Sequence, residues 1–278
     1  MQAKSLRCTK HKASARALYA IWRATYDESR VWFAILVNMK NLPSVTLLII
    51  DCLDVKRAQL ALDISCLEVS FGAVKLLTSL PTDDVRAVPI EPINSIEAYS
   101  RFCLLDLYRY VETSHVLIVQ HDGFILNPSA WRDDFLNYDY IGAPILVGDW
   151  AKERHDIPDS LVGSLVVGNG GFSLRSKKLL ELTAELGQAG NFILTEPEDW
   201  AMCCTERAKL EAAGIAFAPV PVAEAFSFEG RSAEYFRYQS SFGFHSLKWT
   251  DISLWLDAHP EYRSQIKNEV TMEVYYTT

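Results

Sequence analysis

An α/β architecture, with a mixed, mostly parallel sheet flanked by helices in a single domain, follows from three observations. Val45-Thr46-Leu47-Leu48-Ile49-Ile50 is a continuous apolar, β-branched run, as expected of a strand buried on both faces. A segment with helical spacing follows from Val55 to Val69 and closes at Phe71-Gly72; Val74 to Thr78 is then a second strand. Strand, helix and strand with short links make a βαβ unit, which implies parallel pairing and a right-handed crossover. A third buried run, Val116 to Val119, extends the sheet.

Three segments follow from this reading: a basic helical extension over residues 1–43, the domain proper over 44–250, and a helical tail over 251–278 that packs on the domain. In the extension, Ala13 to Tyr26 mixes apolar residues with spaced arginines and reads as an amphipathic helix, which either docks on the body or rests on a membrane surface. Pro81 to Pro92 is irregular and proline-rich. Ser95 to Glu112 is a strong helix with Tyr99, Phe102, Leu105 and Tyr108 along one face, and Arg101, Asp106 and Arg109 nearer the polar side. Asp149 to Pro158 is polar and reads as a mobile loop. Arg175-Ser176 is expected to open a helix to about Leu186, and Ala201 to Ala213 another.

The formal net charge of −8 argues against nucleic acid as a partner, because phosphate backbones need a basic footprint. That charge is unevenly placed. Up to Lys40 there are eight Lys and Arg against Asp27 and Glu28, giving +6 and leaving −14 for the remainder. A basic arm of this kind suits an anionic membrane surface, and a solvated tail equally well. The six cysteines form no Cys-x-x-Cys pair and read as buried free thiols of a reducing compartment. Apolar runs are far shorter than the roughly 20 residues that span a bilayer. With no signal-peptide pattern at the N-terminus, the expectation is a cytoplasmic protein, soluble or peripheral at the inner face of a membrane.

Four stretches carry candidate chemistry. The strand ending at Val119 stops at Gln120-His121-Asp122-Gly123. In open α/β sheets, ligands sit beyond the carboxyl ends of the strands, and a carboxylate there suits a hard divalent cation shared with phosphates. An ordinary Asp-Gly turn fits the same residues. Val166 to Ser176 holds Gly168, Asn169, Gly170 and Gly171, which either let a ligand approach the backbone closely or form a bulge. Their spacing is not the Gly-x-Gly-x-x-Gly of a dinucleotide site. Glu196-Pro197-Glu198-Asp199-Trp200 precedes a helix, so its carboxylates either cap that helix or hold a general base at a pocket edge. Ser241 to Ser246 sets His245 among aromatics, as a structural histidine or as a ligand completing a site begun by Asp122.

Taken together, Val45-Thr46-Leu47, Tyr99-Ser100-Arg101-Phe102, Thr113 to Phe124, Tyr138 to Pro144, Gly168 to Ser176, Glu198-Asp199 and Phe242-Gly243-Phe244-His245 resemble an uncharacterised family of GT-A-fold, glycosyltransferase-like proteins of the domain-of-unknown-function type. The likeness spans residues 43–246. It implies a GT-A-like, Rossmann-like domain that moves a sugar from a nucleotide-diphosphate donor, a UDP- or GDP-sugar, to a hydroxyl of a glycan or lipid-linked acceptor. A divalent cation, Mn2+ or Mg2+, would be held by Asp122 and His245. Gln120 stands where the family's Asp-x-Asp motif has its first acid. Asp199, with Glu198, would supply the catalytic base. Asp51, Arg101, Gln120, His121, Gly123, Asn169, Gly170 and Gly171 would line the donor. A non-catalytic nucleotide-sugar or carbohydrate-binding protein on the same scaffold is the main rival, and a nucleotidyltransferase or metal phosphohydrolase ranks below it.

Overall fold

The computed structural model describes residues 39–230 and 241–267. The basic arm, Cys8, the Ala13–Tyr26 helix and the end of the tail lie outside the described residues. A six-stranded sheet forms the core: β1 (Lys40–Ile50), β2 (Val69–Thr78), β3 (Ala87–Pro89), β4 (His115–Val119), β5 (Tyr140–Ile141) and β8 (Ser173–Ser176), in the order β3-β2-β1-β4-β8-β5. Neighbours from β3 to β4 run parallel, and β8 runs antiparallel to both β4 and β5. Two ribbons complete it: β6 (Pro144–Leu146) with β7 (Leu165–Val167), and β9 (Ser227–Glu229) with β10 (Gly243–His245).

Alternation along the central strands separates two apolar layers. Leu47, Ile49, Leu117 and Val119 face one core with Ala58, Ala61 and Leu62 of α1 (Val55–Ser65). Leu48, Ile50, Val116 and Ile118 face the other, with Cys103 of α2 (Ile96–Leu105) and Leu180 of α3 (Lys177–Gln188). Both faces are covered, which is why these strands read as unbroken apolar runs. Trp255, Leu256 and Ile266, beyond the sheet in the chain, are buried in the first of these cores. The five described cysteines are free, and no described helix is long and apolar enough to cross a membrane.

Several boundaries differ from the sequence expectation. β1 starts at Lys40, because Lys40–Leu42 pair with Val69–Phe71 before a register shift at Pro43, a position where the missing N–H costs the ladder nothing. Val69 and Phe71 are therefore strand residues, and the helix expected to reach Val69 ends at Ser65. α2 ends at Leu105, followed by a tight turn, Leu107–Tyr110. Ser173–Ser176 is a buried strand, and Ser176 caps α3 by accepting from the Leu179 N–H. The expected Ala201–Ala213 helix is two pieces, a π-turn at Ala201–Thr205 and a helix at Arg207–Ala212, preceded by a short turn at Glu198–Trp200. The polar Asp149–Pro158 segment contains one helical turn and is anchored: His155 Nδ1 lies 2.7 Å from Glu196 and its ring stacks on Trp200.

The path of the chain creates a switch point. After β1 it winds outward through β2 and β3, then returns to place β4 on the opposite side of β1. The carboxyl ends of β1 and β4, at Asp51 and Gln120, thus flank the crevice where ligands of such sheets bind. Gly142, linking β5 to β6, backs onto the Gly168 carbonyl oxygen, which a Cβ would overlap. Gly142→Ala is expected to lower stability by about 1–3 kcal/mol, the usual cost of overpacking, read as a lower urea midpoint at unchanged slope.

Candidate functional site

The strand-end triplet is shaped by a turn in which the Gly123 N–H donates to the Gln120 carbonyl at 3.1 Å. Asp122 is largely covered, and its Oδ1 is buried without a hydrogen-bonding partner. His245 Nε2 lies 3.5 Å from that oxygen, an ion pair rather than a well-formed hydrogen bond, and 3.1 Å from Gln120 Oε1. His121, on the rim, is more exposed, with Nδ1 3.8 Å from Asp122. Burial raises the Asp122 carboxyl, but His245 outweighs it and holds the acid below its ordinary range.

His245 is the hub. β10 pairs with β9 so that His245 lies opposite Glu229, whose Oε1 accepts from Nδ1 at 3.1 Å. The other oxygen of Glu229 accepts from the Asn169 side-chain amide. Burial lowers the imidazole pKa, but Asp122 and Glu229 override it and push it up to about 10. Gly123 and Gly171 press on the ring from their own segments: a Cβ on Gly171 would overlap it, and one on Gly123 would lie 3.2 Å from its Cδ2.

The glycine-rich segment is fastened by Asn169. This residue takes a left-handed backbone, φ 62°, which asparagine tolerates better than most. Its Oδ1 accepts from the Gly171 and Phe172 N–H groups at 3.0 and 3.4 Å. The Gly170 N–H donates to Asp199 Oδ2 at 2.9 Å. A chain of direct contacts therefore runs from Asp122 through His245, Asn169 and Gly170 to Asp199. Asp199 borders an opening of about 10 Å³, room for one water-sized group, shared with Ile145, Gly168, Trp200 and Cys203. Burial and the neighbouring Glu198 charge push the Asp199 carboxyl up to about 6, against the pull of the Gly170 N–H and Arg175.

The expected site residues are engaged as follows. Glu198 does not face this opening: it is buried and accepts from Arg175 Nη2 at 2.9 Å and Ser100 Oγ at 3.4 Å, so it serves as counterion to a fully buried arginine. Arg101 is exposed on α2, while its neighbours Tyr99 and Ser100 are the residues that reach Gln120 and Glu198. The Asp51 carboxylate is occupied, accepting from the Leu53 and Asp54 N–H groups and twice from Arg57. It orders the loop after β1, and burial is outweighed by these donors so that it stays ionised. Gly170 and Gly171 approach the protein's own Glu198 and His245.

Glu229, Tyr99 and Arg57 are participants the motifs did not reveal. Glu229 is found through strand register, which no local pattern encodes. Tyr99 read as part of an apolar helix face. Arg57, six residues after Asp51, brings a guanidinium whose field reaches Asp122 and His121. Among the described residues no group of three or more His, Cys, Asp or Glu converges to hold an ion. Asp122 and His245 do offer two ligands, and the orphaned Asp122 oxygen fits a cation that brings further oxygens of its own, as ions carried on a diphosphate do.

A family model described as a protein of unknown function, DUF5672, matches residues 83–245, more than half of the chain. No curated protein matches the sequence. Among solved structures, the mannosyltransferase PcManGT of Pyrobaculum calidifontis, in complex with GDP-Man and Mn2+, is similar at 13% identity and a TM-score of 0.35. That alignment covers 66% of this chain and 57% of the other.

The buried ion pair behind Asp199 is open to test. Arg175→Met leaves Glu198 charged and unpaired, and is expected to cost about 3–5 kcal/mol in urea unfolding. Adding Glu198→Leu should recover part of that loss.

Proposed function

We propose that this chain, which belongs to the DUF5672 family, is a glycosyltransferase that moves a sugar from a nucleoside-diphosphate donor to a hydroxyl of a glycan or lipid-linked glycan. One observation carries this reading. Residues far apart in the chain, Asp122, Asn169, Asp199 and His245, are joined by direct contacts beyond the carboxyl end of β4, beside the switch point of the sheet. The basic segment ahead of Lys40 supports an acceptor presented at an anionic membrane surface.

In this reading Asp199 takes the proton from the acceptor hydroxyl. Its opening is about the size of a single hydroxyl oxygen. The Gly170 N–H and the Trp200 N–H, donating to Oδ2 and Oδ1 at 2.9 Å each, fix the direction of the carboxylate. An elevated pKa suits the role, because a base is most effective when its pKa lies near the working pH. Asp122 and His245 would hold the divalent cation, Mn2+ or Mg2+, which neutralises charge on the departing diphosphate. Arg57, pinned by Asp51, adds positive charge to the same rim.

The test is a panel of UDP- and GDP-sugars with glycan acceptors and Mn2+, scored for transfer and for slow donor hydrolysis. Donor binding without either reaction across the panel would favour a carbohydrate-binding protein on this scaffold. Asp199→Asn is expected to cut transfer by about 10²–10⁴-fold while donor affinity stays within a few-fold. Wild-type turnover should fall as pH drops through about 6, because the base works only when ionised and its folded pKa is raised to that value. A profile flat down to pH 5 would remove Asp199 from this role.

A further inference from the structure

We propose that the rings of Trp150, His155 and Trp200 form the acceptor subsite, a wall on which a pyranose ring of the acceptor packs with one hydroxyl toward Asp199. The proposal rests on the transferase reading and gives that reading's acceptor a place on the protein. Trp200 and Asp199 are consecutive and border the same opening. The His155 imidazole stacks on the Trp200 indole, with ring centres 4.4 Å apart and planes inclined by 14°. Trp150 meets the same indole edge to face, at 5.6 Å and 82°. All three rings are half-buried, so each keeps part of its surface toward solvent. Rings of the core, such as Phe124, Phe135 and Phe226, are closed off from it.

A pyranose offers C–H groups on its ring faces and hydroxyls around its rim. The C–H groups carry slight positive charge and suit the electron-rich face of an indole, while the hydroxyls need fixed hydrogen-bonding partners. This wall supplies both. His155 Nδ1 lies 2.7 Å from Glu196 Oε2, and a carboxylate only accepts, so Nδ1 carries the hydrogen. The ring is thereby fixed with Nε2 turned away from Glu196, and among the described residues nothing hydrogen-bonds that nitrogen. A hydroxyl, which both donates and accepts, can meet it. Two further bonds tie the segment down: the Asp156 N–H donates to Glu196 Oε1 at 3.3 Å, and the Thr205 hydroxyl to the Asp156 carbonyl at 2.8 Å. A polar insertion between β6 and β7 is thus anchored so that two of its rings stand against Trp200, beside the candidate base. Rings held in place beforehand lose little freedom when a ligand binds.

Methyl pyranosides of glucose, galactose, mannose and N-acetylglucosamine, titrated against the full chain by saturation-transfer NMR, test the wall without a turnover assay. Wild type should bind at least one of them. Trp200→Leu should weaken that binding by at least about 10-fold, and His155→Phe, which keeps an aromatic ring and removes Nε2, by about 3–10-fold. Both variants should bind uridine or guanosine diphosphate as wild type does. In the transfer assay they should raise the acceptor KM while the donor KM stays unchanged. If Trp200→Leu does not fold, Trp150→Leu takes its place with the same expectation. A wild type that binds no pyranoside, unchanged pyranoside affinity in the variants, or equal losses of pyranoside and nucleotide would overturn the subsite without touching the transferase reading. Pyranoside binding that falls in Trp200→Leu, in a chain that transfers no sugar, would keep the subsite and remove the transferase reading.

Discussion

A guanidinium sits in the middle of this protein with no exposure to water. Arg175 lies on β8, between β4 and β5, and its charge is met by Glu198, by the Ser173 hydroxyl and by the Gly170 carbonyl. The ring of Tyr140 lies 5.5 Å from its charge centre. A buried charge of this kind is tolerable only while its partners stay in place, so each of them is held where Arg175 needs it. Gly170 belongs to the turn that carries Asn169, and Glu198 is the residue next to Asp199. Holding the ion pair together therefore also positions the glycine-rich turn against the acidic one. The candidate base inherits its setting from a structural pair.

The histidine site depends on close approach of a different kind. Gly123 and Gly171 bring two backbone segments onto the His245 ring, and Glu229 bridges that ring to Asn169. In this way the end of β4, the turn before β8 and the β9–β10 ribbon are locked around one imidazole. The glycines serve the contact between protein segments, because only a residue without a Cβ leaves room for the ring. Arg175 and His245 stand on either side of the Asn169–Gly171 turn, and that turn couples them.

Much of the sheet was legible because burial on both faces writes itself into composition. The apolar runs of β1 and β4, and the polar residues that end them, needed no knowledge of neighbours. β8 was missed for the opposite reason. Ser173-Leu174-Arg175-Ser176 carries an arginine and two serines at fully or nearly fully buried positions, a pattern that makes sense only with Glu198 and Gly170 beside it. The limit of α1 was misjudged because Val69 to Phe71 pair with Lys40 to Leu42, and pairing between distant segments leaves no local period.

For the site, the residue types beyond the ends of the strands were readable in order: the triplet at 120–122, the glycine-rich run, the acidic pair and the late histidine. Their chemical character follows from side-chain identity alone, and so does the expectation of an acid–imidazole pair. What each carboxylate does was decided by the tertiary structure. Glu198 and Asp199 are adjacent in sequence, yet one faces a buried guanidinium and the other a small opening, because consecutive side chains leave the backbone in different directions. Asp51 was taken up by Arg57, and Gln120 was turned by Tyr99, through contacts between elements that the chain brings together only on folding. Sequence sets the supply of charges and donors, while packing determines which are spent on one another and which remain for a ligand.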